Sequence, residues 1–176
     1  MGHPDRSLLR LGRQHADFIR VQSASNIFEG FLTPGTCTSE PGHHSRADVP
    51  CDSLVVELGF RPIAADSPAV VVLGPMHGDE RVGASAAKYL VDLFAQRANV
   101  DPWITRLLRT RRIIVVPIPN PSGYDKHMLY EQDTAGNLID PAMDFPFARN
   151  ISVSSKENCL LSSCASLVHH LFHQHT

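Results

Sequence analysis

Three short apolar runs constrain this chain more than any other feature: Leu54-Val-Val-Glu-Leu58, Ala69-Val-Val-Val-Leu73 and Ile113-Ile-Val-Val116, each with Gly or Pro at an end. Runs of this length, dominated by β-branched residues and cut off by chain-breaking ones, have the signature of buried strands in an α/β sheet. Between the second and third runs, Val82, Ala86, Tyr89, Leu90, Leu93 and Phe94 recur at helical spacing, which predicts a helix over 80–96 with those residues on its apolar face. Strand, helix and strand in that order make a right-handed parallel crossover.

Around this unit the chain is more irregular. Residues 1–50 are rich in Ser, Gly, Pro, Thr and His, with turn chemistry at Thr33-Pro-Gly-Thr36 and Pro41-Gly-His-His44. They read as loop with one short strand at Phe18–Gln22. A second short helix is expected over 102–112, its Arg106, Arg109, Arg111 and Arg112 forming a solvated basic face. Beyond Pro117, prolines and glycines exclude any long element as far as Asn150, and a stretch of that kind in a compact domain is usually functional. Helical periodicity returns between Glu157 and Thr176.

Charge and composition remove several function classes. Sixteen Lys and Arg against 18 Asp and Glu give a net charge of -2, so no basic field points to nucleic acid or an anionic membrane. No apolar run reaches the roughly 20 residues that cross a bilayer. The first twenty residues carry Asp5, Arg6, Arg10, Arg13 and Asp17 and contain no signal-like apolar core, so no secretory signal is expected. The four cysteines, at 37, 51, 159 and 164, form no CxxC ligand pair. Cys37 and Cys51 are able to bridge in an oxidising compartment, but without an export signal free thiols are the expectation.

The densest chemistry lies at Gly74-Pro-Met-His-Gly-Asp-Glu-Arg-Val-Gly83, where the second strand ends and the helix begins. Ligand sites of open α/β sheets lie at the carboxyl ends of strands. His77 and Glu80, three residues apart on a turn opening a helix, bring an imidazole nitrogen and a carboxylate to one side, as two ligands of a tetrahedral zinc require. Gly78 lets the backbone bend there without a Cβ. The alternative is that Asp79 and Glu80 only complement the helix dipole and His77 is a plain loop residue.

The next strand leads into Pro117-Ile-Pro-Asn-Pro-Ser-Gly-Tyr124, and Asp140-Pro-Ala-Met-Asp-Phe-Pro-Phe147 follows. Taken in order, these segments resemble the M14 zinc carboxypeptidases over about residues 54 to 173, and correspond to the first part of that catalytic domain. The resemblance implies a three-layer, mixed-sheet α/β fold, incomplete at the C-terminus, with 1–52 as a loop-rich lead-in and 53–176 as a partial catalytic domain. It implies Zn2+ as cofactor with His77 and Glu80 as its first two ligands, and peptide or protein C-termini as substrates. In such enzymes the metal activates a water and polarises the scissile carbonyl, while a downstream Glu acts as general base.

Departures from the family pattern limit that expectation. No Arg occurs between Gly123 and Phe147, and Ala142-Met143 stands where the resemblance places an Asn-Arg pair. A methyl and a thioether do not replace a planar, bidentate carboxylate clamp. The nearest basic groups are Lys126, His127 and Arg149. The family's third zinc ligand and general base have no counterpart in this chain, so weak zinc binding and no turnover are expected. His169, His170, His173 and His175 read as an exposed terminal face, and His43-His44 as exposed loop. The expected function is that of a zinc-dependent metallocarboxypeptidase-family hydrolase, truncated or inactive. Alternatives are a non-catalytic peptide- or metal-binding relic and an aspartoacylase-like N-acyl amino acid amidohydrolase. A serine hydrolase is excluded, because Gly83-Ala-Ser-Ala-Ala87 lacks the second Gly of a nucleophile elbow.

Overall fold

The strands form where apolar, β-branched sequence is bounded by chain breakers. In the computed structural model, which describes residues 6–27, 36–38, 48–63, 67–132 and 138–139, a four-stranded sheet is built from β1 (Ile19–Ser23), β4 (Leu54–Leu58), β6 (Arg112–Val116) and β5 (Ala69–Leu73), in that spatial order. β5 and β6 are parallel, with Val71 opposite Ile114 and Leu73 opposite Val116; β4 runs antiparallel to β6, and β1 antiparallel to β4. The sheet is therefore mixed. β5 and β6 are joined by α3 (Arg81–Arg97) and α4 (Pro102–Thr110), the crossover expected from the sequence.

Alternation along the strands sorts the core into two faces. Leu54, Val56 and Leu58 of β4 and Ile113 and Val115 of β6 pack with Leu8, Ala87, Val91, Phe94, Ala98 and Leu108, which belong to the helical segments. The intervening Val55, Ile114 and Val116 pack on the other face with Ala24 and, at their margin, Ile27, Val71 and Leu73. α4 starts cleanly because Asp101 caps it, its carboxylate accepting from the Trp103 and Ile104 amides at 2.8 and 3.2 Å, and Pro102 occupies the first turn.

Four sequence expectations need correction. The first fifty residues are not loop with a single strand: they hold α1 (Arg6–Gln14), β1, α2 (Ala24–Ile27), β2 (Thr36–Thr38) and β3 (Asp48–Pro50). Leu8, Phe18 and Ile19 are fully buried, because α1 and β1 cover an edge of the sheet core. Second, of the apolar face predicted for α3 only Phe94 and, in part, Leu90 turn inward. Ala84, Ala87, Val91, Phe94 and Ala95 are buried, while Val82, Ala86, Tyr89 and Leu93 point outward. Alanines at 84, 87 and 95 let the helix lie close on the sheet, and Val82, Tyr89 and Leu93 are left exposed. Third, Arg112 is not part of a solvated basic face. It begins β6 with a side chain 12% exposed, its Nε 3.7 Å from Glu57. Fourth, Cys37 and Cys51 form a disulfide, not free thiols. The antiparallel pairing of β2 with β3 places Cys37 opposite Val49 and brings the two sulfurs together.

Candidate metal centre

Parallel neighbours deliver their carboxyl ends to the same side of a sheet, so the loops after β5 and β6 meet. Gly74 leaves β5 with its amide on the Val116 carbonyl at 2.8 Å. A Cβ at Gly74 would lie 1.9 Å from the Pro117 oxygen, so the two chains run too close for any other residue. Four residues later the approach repeats: a Cβ at Gly78 would stand 1.9 Å from the Gly123 carbonyl carbon and 2.3 Å from the Tyr124 nitrogen.

The second loop is braced by its own helix start. Asn120 precedes α5 (Pro121–Lys126), and its side-chain oxygen accepts from the Gly123 amide at 2.9 Å as an N-cap, with Pro121 in the first turn. Its Nδ2 donates to the Met76 carbonyl at 3.1 Å. Asn120 is 2% exposed, so both contacts are sheltered from water. One amide side chain thus caps α5 and holds the residue preceding His77.

Within that frame His77 and Glu80 come together. His77 Nδ1 lies 3.1 Å from Glu80 Oε1, with the side chains 21% and 55% exposed. The two groups converge and are reachable from solvent. Two donors held by zinc at about 2.0–2.2 Å and a tetrahedral angle stand roughly 3.4 Å apart, a few tenths of an ångström wider than the separation found. The separation is thus close to, and slightly shorter than, the spacing of two ligands on one tetrahedral cation. With a proton on Nδ1 the imidazole donates to the carboxylate; a metal competes with that proton for the same two atoms. Glu80 stands at the N-cap of α3 without making a side-chain cap, which leaves its carboxylate for His77. Among the described residues no group of three or more His, Cys, Asp or Glu is placed to hold a metal.

Behind α5 lies the disulfide-linked β2–β3 hairpin. Thr38 donates its amide and its hydroxyl to the Asp125 carboxylate at 2.8 and 3.0 Å, and Cys37 Sγ is 3.6 Å from the Pro121 carbonyl. Partial burial acts to raise the Asp125 pKa, but the bonds from Thr38 are among the contacts that outweigh it, and the carboxyl is held below its ordinary 3.8.

Two further residues join the loops. The Arg81 guanidinium carbon sits 3.8 Å over the Tyr124 ring, and its Nη2 donates to the Tyr124 carbonyl. Sequence reasoning assigned no role to Asn120, Arg81 or Tyr124. Asn120 was detectable as Asn followed by Pro with a Gly at the third position, a helix-start pattern; the Arg81–Tyr124 pair, 43 residues apart, carries no local signal. His43–His44, the 140–147 segment, Cys159, Cys164 and the terminal helix with its histidines lie outside the described residues.

Fold and site together define a mixed-sheet α/β domain with an imidazole–carboxylate pair at the carboxyl end of a parallel strand. The zinc carboxypeptidase (peptidase M14) family model matches residues 33–159, more than half of the chain, and the chain belongs to this family. It is 34% identical over 74 residues to carboxypeptidase D of Anas platyrhynchos, an alignment covering 42% of this chain and 5% of that protein. It is 40% identical over 50 residues to carboxypeptidase M of Mus musculus, covering 28% and 11%. Among solved structures, thrombin activatable fibrinolysis inhibitor superposes with a TM-score of 0.64 at 10% identity, over 96% of this chain and 42% of that one. That likeness shows the zinc carboxypeptidase fold. The chain spans less than half the length of each of these proteins. No helix among the described residues is long and apolar enough to cross a membrane.

Proposed function

We propose that this chain carries part of the zinc centre of a metallocarboxypeptidase, with His77 Nδ1 and Glu80 Oε1 as two ligands and peptide C-termini as the substrate class. The observation that supports this most is the 3.1 Å approach of those two atoms at the carboxyl end of β5. When bound, zinc would supply an activated water and polarise the scissile carbonyl. The chain's own contribution is placement. Asn120 fixes the backbone before His77, Gly78 admits the close approach of residues 123–124, and the uncapped Glu80 leaves its carboxylate beside the imidazole. The family match, which names zinc carboxypeptidases, favours peptides over N-acyl amino acids as substrates.

Among the described residues the proposed ligands are two protein donors, fewer than the three of catalytic zinc sites. The 176-residue chain by itself is therefore expected to take up zinc weakly and to leave peptides uncut. Calorimetric titration with zinc tests the ligand assignment. His77→Ala should abolish uptake and Glu80→Gln should weaken it; uptake unaltered by His77→Ala removes the reading. A peptide with a free C-terminus, assayed beside its amidated counterpart, tests the substrate class. Cleavage of both alike would count against an exopeptidase.

A further inference from the structure

Residues 76–81 carry both proposed ligands, and this segment is fastened at each end to the turn that opens α5. At the front the fastener is Asn120 on the Met76 carbonyl. At the back it is Arg81, which follows Glu80 directly and crosses to Tyr124, stacking on its ring and donating to its carbonyl. We propose that Arg81 is a positioning residue that, through Tyr124, fixes Glu80 against His77 in a metal-ready arrangement.

Three observations carry this. A cation in the first turn of a helix opposes the helix dipole, so the charge of Arg81 at that position does not by itself favour α3. Its Nε is buried without a hydrogen-bond partner, a cost that accompanies the placement of the guanidinium 3.8 Å over the Tyr124 ring. Finally, Glu80 makes no cap bond, so its side chain is not oriented by the helix start. The guanidinium plane matters as well as the charge, because stacking and carbonyl donation together fix its direction.

The inference rests on the proposed zinc ligands for one arm of its test and stands apart from them in the other. Charge and position predict opposite signs. Arg81 places a positive charge beside a cation site, so if it acted only electrostatically, Arg81→Ala would tighten zinc binding. As a positioning residue its loss should weaken binding roughly 10-fold, the lower end of what groups orienting metal ligands contribute. Tyr124→Ala should weaken it similarly, and the double variant should lose little more than either single one. Arg81→Lys, which keeps the charge and guards against misfolding, should still bind several-fold more weakly. Far-UV circular dichroism checks that each variant is folded.

The arm that needs no metal is amide exchange in the zinc-free chain. Arg81→Ala should speed exchange at Gly78, Asp79 and Glu80 about tenfold relative to helix α4. If wild type takes up no zinc, the ligand assignment fails while faster exchange still supports Arg81 as the fastener. Unchanged exchange, or zinc affinity equal to or tighter than wild type in Arg81→Ala, overturns the proposal.

Discussion

Gly78 is the residue at which the two site loops touch through backbone alone. Any side chain there meets the Gly123 carbonyl and the Tyr124 amide, neither of which can swing aside as a flexible side-chain tip would. Gly78→Ala is accordingly expected to lower stability by about 1–3 kcal/mol, the cost of forcing apart a packed contact. Gly83→Ala provides the comparison. It lies inside α3, where Ala is the better helix former, and its Cβ would meet the Pro75 ring at 3.1 Å. Urea unfolding of the two variants should show the larger midpoint loss at Gly78; equal losses would mean the loops do not depend on this contact. The sequence made the need for glycine at 78 legible, but for a different reason. It suggested a sharp local bend, whereas the missing Cβ makes way for the backbone of residues 123–124. A contact between segments 45 residues apart has no local signature.

At the scale of elements, the disulfide-linked hairpin and α5 act together. Cys37 and Cys51 are 14 residues apart in sequence, and closing a loop of that size restricts the unfolded chain by about 3 kcal/mol. Reductant, or the Cys37→Ala/Cys51→Ala pair, should lower the urea midpoint, with a loss of unfolding free energy of that order. An unchanged midpoint would mean that the hairpin contributes nothing to the folded domain. The hairpin is also fastened by charge. Because the Asp125 carboxyl is held below 3.8 when folded, its contribution is complete above that pH and disappears as pH falls through the lowered value. The stability gap between wild type and Asp125→Asn should be present near neutral pH and close at lower pH; a gap that widened on acidification would contradict the bond to Thr38. All three apolar runs became strands where predicted, but only β4 and β6 are buried on both faces; β5, at the sheet edge, is partly exposed. α1 was missed because Leu8, Leu9 and Leu11 alternate with arginines in a segment whose surroundings read as loop. On α3, Phe94 and Leu90 turn inward as their spacing suggests, but Val82, Tyr89 and Leu93 do not, since alanines at 84, 87 and 95 make the close contact with the sheet. Arg112 looked like surface because its acidic partner, Glu57, lies on a different strand.

For the whole molecule, the sheet order makes its two edges unequal. At one edge, β1 carries Arg20, which reaches Glu57 at 4.0 Å and puts charge along the strand. At the other, β5 is Ala-Val-Val-Val-Leu, without charge or proline, and among the described residues its outer edge has no strand partner. Its side chains are only partly covered, and Val70 is 50% exposed. An uncharged, β-branched edge of this kind is a template for pairing with another chain, and natural sheets guard such edges with lysine or proline. The mixed sheet that brings the carboxyl ends of β5 and β6 together beneath the His77–Glu80 loop therefore also leaves β5, among the described residues, as an edge open to pairing. Sedimentation velocity over a range of concentrations should show association in the wild-type chain. Val70→Lys should reduce it, because a half-exposed position accepts the longer side chain and places a charge on the edge. Arg20→Ala, on the opposite edge, should not reduce it. If Val70→Lys sediments as wild type does while Arg20→Ala abolishes association, β5 is not the adhesive edge, and the interface must be sought on β1.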